Sequence, residues 1–266
     1  MSACAAKRGT CPIEGGVLAY ETHGTGPPIV LLHGFSFDMR AWDAQIDRLA
    51  EHHRVIRYDL RGFGRSTLPC GEYSHSEDLD LLLNKLAVEK PMLVGLSLGA
   101  NVALEYSLRY PSKVRAQVLA SPGLTGYAWS EERPTDAAAA HAATHGIESA
   151  KRFWINHALF ASLRRDPESL SRLRVMVQDY SGWHWQHLNP VRMTKAIDRL
   201  GECSTPTLIA AGKLDVNGYQ VIANVLSARM NHAASLWFEN AGHVVNDEAD
   251  AAFVAAVLNF SDQVEP

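Results

Sequence analysis

Short, continuous apolar runs alternate with helix-period patterns along this chain. The run IVLLHG at 29–34 shows no polar alternation, which predicts a strand buried on both faces, as in a parallel sheet. VIRYDLRG (55–62), MLVGLS (92–97), VRAQVLAS (114–121), TPTLIAAGKLD (205–215) and ASLWFENAG (234–242) read as further strands. GGVLAYETHG (15–24) alternates enough for an outer strand or half of a hairpin, and THGTGPP follows as a turn. Between them, helical spacing predicts helices over 40–50, 76–88, 98–111, 217–229 and 248–260. Trp42, Ile46 and Leu49 set the first of these, and Pro111 stops the third. Strands alternating with helices imply βαβ units, a parallel sheet and right-handed crossovers.

The stretch 124–200 breaks this rhythm. It has helix-like pieces at 135–145, 148–160 and 167–179, no clear strand, and an aromatic set of Trp129, Trp154, Tyr180, Trp183 and Trp185. A helical insertion between two parallel strands sits over their C-terminal edge, where ligands bind in open α/β sheets. The division predicted is a core of 1–123 and 201–266 with a helical lid over 124–200. Some of the aromatics are expected to form a small second core packed on the sheet.

Composition narrows the function classes. Among 266 residues, 25 Lys plus Arg face 29 Asp plus Glu, so the formal charge of −4 offers no footprint for nucleic acid or an anionic membrane. The 47% hydrophobic content is enough to bury a core without staples. Cys4, Cys11, Cys70 and Cys203 are scattered without metal-ligand spacing and fit reduced thiols. The opening MSACAAKRGT lacks an apolar signal core, and the apolar stretch 91–108 is too polar for a membrane span. A cytoplasmic protein acting on a small molecule is expected; its oligomeric state is left open.

Gly95-Leu96-Ser97-Leu98-Gly99 matches G-x-S-x-G, with an apolar strand before it and a helix directly after. A sharp strand-to-helix turn of this kind lifts a serine hydroxyl above the sheet, and flanking glycines are needed because a Cβ would crowd it. The helix N-terminus behind it favours developing negative charge. A serine hydroxyl also needs a base, and the base an orienting acid. Asp215 ends one late strand and His243 follows the next, giving the chain order Ser…Asp…His of this architecture. Glu131, Asp247, Asp250 and Asp59 are weaker acids by position, Asp59 because DLRGFGRS reads as a structural loop. The backbone N–H groups of Phe35 and Leu98 are the expected oxyanion donors. His33 is expected to fix its loop.

Together HGF, DLRGFGRS, GLSLG, the late Asp215 and the AGH at His243 resemble the α/β-hydrolase superfamily over nearly the whole chain. The resemblance implies an eight-stranded, mostly parallel sheet flanked by helices, with a helical cap after the sixth strand. Its serine branch includes enol-lactonases, carboxylesterases and hydrolases that cleave C–C bonds in ring-opened aromatic products. The reading favoured is an ester or lactone hydrolase using Ser97, Asp215 and His243; a C–C hydrolase and a ligand receptor with little turnover are the alternatives. In the lid, Trp154, Trp183, Phe153 and Trp185 predict a mainly apolar pocket, with Arg152, His157 or His184 placed to meet a carboxylate. No metal or nucleotide cofactor is implied: His141 and His145 lack the glutamate of HExxH, and neither GTG (24–26) nor GFG (62–64) completes a phosphate loop.

Overall fold

The computed structural model describes residues 6–187 and 191–264. In chain order the elements are β1 (Lys7–Ile13), β2 (Gly16–His23), β3 (Pro28–Leu32), α1 (Ile46–Ala50), β4 (Arg54–Tyr58), α2 (His75–Lys85), β5 (Met92–Leu96), α3 (Leu98–Arg109) and β6 (Ala116–Ala120). Next come α4 (Pro134–His145), α5 (Ile147–Ile155), α6 (Pro167–Asp179) and α7 (Trp183–Gln186), all between β6 and the strand β7 (Thr207–Gly212). The chain closes with α8 (Asn217–Arg229), β8 (Ala233–Phe238), α9 (Val245–Glu248) and α10 (Asp250–Gln263).

The eight strands form one sheet in the order β1-β2-β4-β3-β5-β6-β7-β8. β1 and β2 pair antiparallel and β2 joins β4 antiparallel, while every pair from β4 to β8 is parallel. Strands β5, β6 and β7 are buried at every residue, which is why their sequences are unbroken apolar runs. β8, at the edge, has no buried residue and correspondingly mixed composition. The strand order turns back at β3, whose neighbours are β4 and β5. The crevice beyond the C-termini of β3 and β5 is thus the switch point where an open α/β sheet binds ligands.

Several boundaries differ from the sequence pattern for local reasons. β1 was not foreseen because KRGTCPI buries only Cys11, leaving no apolar run to read. The helix expected over 40–50 is a 3-10 turn, Met39–Trp42, capped by the Asp38 carboxylate, followed by α1. Trp42, Ile46 and Leu49 are nevertheless all buried, so the apolar spacing marked an inward face without a continuous helix. The piece expected at 148–160 stops at Ile155 because His157 is extended, and its side chain caps a 3-10 turn at Ala158–Phe160. The last helix runs later than 248–260, since non-helical Ala249 separates α9 from α10. Among the described residues no helix is long and apolar enough to cross a membrane.

Candidate active site

Strand β5 carries the chain straight into Ser97, whose φ of 53° and ψ of −103° make the turn into α3. L-residues rarely adopt this region, so the surroundings must hold it. A Cβ on Gly95 would lie 2.3 Å from the Gly99 carbonyl, and one on Gly99 would lie 2.2 Å from the Leu32 oxygen. The turn is possible only because both flanks are glycine. The Ser97 N–H donates to the Ala120 carbonyl at 2.9 Å, tying the turn to β6.

Asp215 and His243 arrive from the ends of β7 and β8. One Asp215 oxygen, Oδ1, accepts from the Val216 N–H at 2.8 Å, which fixes the carboxylate. Its Oδ2 lies 2.8 Å from His243 Nδ1, and His243 Nε2 lies 3.0 Å from Ser97 Oγ. With Nδ1–H donating to the carboxylate, Nε2 is free to accept the serine proton. All three side chains are buried. Glu248 holds the histidine loop: its two oxygens accept from the N–H groups of Gly242 (2.9 Å) and Val244 (3.0 Å), one on each side of His243. The Tyr219 ring leans on the imidazole at 4.2 Å between centroids, and burial pushes its phenol up to about 12. Neither residue stood out in the sequence. Tyr219 lies in the first turn of α8, just after the loop that carries Asp215, and that proximity along the chain was the available signal.

Phe35 and Leu98 follow β3 and β5 respectively, and neither backbone N–H has an acceptor among the described residues. Ser36, next to Phe35, is also left-handed (φ 63°), and its Oγ accepts from Trp154 Nε1 at 2.7 Å. His33 bridges its loop: Nδ1 lies 2.8 Å from the Gly34 carbonyl, and Nε2 accepts from the Leu60 N–H at 3.0 Å. Burial holds this imidazole below its usual range, so it stays neutral. Asp59 is likewise occupied, accepting from the Met39 and Arg65 N–H groups at 2.7 and 2.8 Å.

The other acids are engaged elsewhere. Glu131 accepts from the Gly218 N–H, Asp247 pairs with Arg172, and Asp250 pairs with Arg48. His141 stacks on His145 and hydrogen-bonds Ser149.

Two cavities meet at Ser97. The smaller, with about 10 Å³ of free space, is lined by His243, Phe37, Leu96, Trp154, Leu159 and Phe160. The larger, about 200 Å³, is lined by Leu98, Asn101, Thr125, Tyr127, Trp129 and Arg133. Phe35, Ser97, Thr135 and Tyr219 border both.

Trp154 therefore lines the space at Ser97, but two other expected residues do not. Arg152, two positions earlier on α5, is exposed and borders neither cavity, because residues two apart on a helix point to different faces. Trp183 is half-buried and stacked on His187 at 4.2 Å, while Trp185 takes the inward position. His184 is bonded between the Tyr73 and Tyr180 hydroxyls and stacked on Phe63. His157 accepts from the Leu159 N–H.

A family model described as the alpha/beta hydrolase family matches residues 29–257. The chain is 28% identical to a pimeloyl-acyl-carrier-protein methyl ester esterase of Yersinia enterocolitica, covering 88% of this chain and 93% of that one. It spans only 39% of the length of a Synechocystis relative that it matches at 40% identity over 108 residues. Among solved structures, a thermophilic esterase from Thermogutta terrifontis superposes with a TM-score of 0.84 at 25% identity, over 97% of this chain and 98% of that one. With the sheet order, the strand-to-helix turn at Ser97 and a family match over most of its length, the chain belongs to the alpha/beta hydrolase family.

Proposed function

We propose that this family member is a serine hydrolase that cleaves an ester or lactone bond of a small molecule through an acyl-enzyme. The hydrogen-bonded series Ser97–His243–Asp215 at the switch point of the sheet carries this reading. Ser97 Oγ attacks the carbonyl carbon as His243 Nε2 takes its proton. The N–H groups of Phe35 and Leu98 meet the oxyanion, and Asp215 stabilises the imidazolium that forms. His243 then passes the proton to the departing oxygen, and water releases the acyl group by the same steps in reverse order. The esterase relatives support an oxygen-ester substrate.

In this reading the segment 124–200 is the lid. Trp154 from α5 and Thr135 from α4 line the space in front of the serine, which supports that role.

The test is steady-state hydrolysis of a panel of small esters and lactones by the wild type and by Ser97→Ala, with circular dichroism to verify the fold. Turnover by the wild type that disappears in a folded Ser97→Ala is the expected result. Turnover retained in the variant would overturn the mechanism.

A further inference from the structure

The two cavities differ in a way that assigns the two halves of a substrate. His243 must hand its proton to the leaving oxygen, so the alcohol portion has to lie against the imidazole. Of the two spaces at Ser97, only the small apolar one is lined by His243. Its free volume, about 10 Å³, is that of a single water-sized group. The apolar walls Phe37, Leu96, Leu159 and Phe160 are buried, with half-buried Phe35 and Thr135 at the border, so a longer alcohol has little room beside the imidazole.

The other side has room and polarity. The 200 Å³ space leaves room for an acyl chain directed from the carbonyl away from His243. There Asn101 sits one turn beyond Ser97 on α3, and its side-chain oxygen is buried without a hydrogen-bond donor. Further out stands Arg133, whose Nε donates to Thr135 Oγ1 at 2.6 Å. Among the described residues its two terminal guanidinium nitrogens have no acceptor, and the nearest carboxylate, Asp136, is 3.6 Å from Nε. A guanidinium held by its Nε at the edge of a cavity, with its terminal N–H pair unused, suits a carboxylate or another planar anion.

We infer that the site, read as the serine hydrolase site proposed above, takes esters of a very small alcohol, methyl above all, whose acyl chain carries an anionic group that binds Arg133. In the acylation step the Ser97 Oγ–acyl bond forms and the acyl–methoxy bond breaks. Methanol leaves with the proton that His243 took from Ser97. A lactone fits less well, because its leaving oxygen stays tethered to the acyl chain and both must then lie on the crowded side.

Three probes test this: monomethyl adipate, monobutyl adipate and methyl hexanoate, each assayed with wild type, Ser97→Ala, Arg133→Met and Arg133→Lys. In the wild type, kcat/KM for monomethyl adipate is expected to exceed that for monobutyl adipate by about a hundredfold. It is also expected to exceed that for methyl hexanoate by about tenfold, the lower end for a half-exposed charged hydrogen bond. Arg133→Met should remove most of the acid-over-neutral ratio, and Arg133→Lys should keep part of it. Equal rates for the methyl and butyl esters would overturn the assignment of the small cavity. An acid-over-neutral ratio unchanged in Arg133→Met would overturn the role of Arg133. If hydrolysis depends on Ser97 yet shows neither preference, this inference fails and the hydrolase reading stands. If no probe is hydrolysed in a Ser97-dependent way, the hydrolase reading falls with it.

Discussion

Ser97 sits in a backbone region that L-residues avoid, and the neighbours that hold it there are as specific as the serine itself. Gly99 is the tightest of them, since any Cβ meets the Leu32 carbonyl oxygen. Gly99→Ala should destabilise the protein by about 2 kcal/mol or more, as forced insertions into packed interiors do, and a urea titration will measure it. An unchanged midpoint would mean that the turn relaxes freely. If Asp215 orients His243 as proposed, Asp215→Asn should leave the fold intact and lower kcat by about 10⁴, because the amide no longer selects the Nδ1–H tautomer. A nearly neutral effect would require another acid. These residues were legible in the sequence because each stands at the end of an apolar run, where a strand must leave the sheet. Tyr219 and Glu248 were not, since which face of α8 or α9 meets His243 depends on packing that no local pattern encodes. Arg152 and Trp183 were misread for the same reason: composition places an arginine or a tryptophan in a segment, but only the helix phase places it on a face.

Among the elements, the pairing of α2 with α3 hides a carboxylic acid. Glu105 on α3 is buried, accepts from Ser76 Oγ at 3.2 Å, and is pushed up to about 7 chiefly by burial, against the pull of that hydrogen bond and of Arg109. Its acid form is thus favoured in the folded state. The stability this contributes is complete below the unfolded carboxyl range near 4.5 and is lost as pH rises through 7. Glu105→Gln should therefore match the wild type near pH 5 and exceed it by about 1–3 kcal/mol near pH 8, measured by urea unfolding at both values. A constant difference between the two pH values would show that Glu105 is ionised in the fold throughout. Element identity was readable for the buried strands, whose composition is forced by burial on both faces. It was less so for β1, which lies at the open edge and is held by backbone pairing with β2.

Across the whole molecule, the segment between β6 and β7 and the sheet are joined at Phe35. Its ring lies among Phe63, Trp154, Tyr180, His184 and Trp185, at centroid distances of 5.7 to 6.3 Å. The residue whose N–H is proposed to meet the oxyanion is thus anchored by side chains from α5 to α7. Phe35→Ala should cost about 2 kcal/mol of stability and lower kcat about tenfold, as the donor loses its fixed position. Loss of stability with kcat unchanged would separate the two roles.

The most direct test of the central claim, that His243 activates Ser97 as a nucleophile, is covalent trapping. The protein is treated with a fluorophosphonate, digested, and its peptides are weighed by mass spectrometry. The account predicts one phosphonylated serine, Ser97, with labelling abolished in Ser97→Ala and strongly slowed in His243→Ala. Labelling at another serine, or equal labelling rates with and without His243, would contradict it.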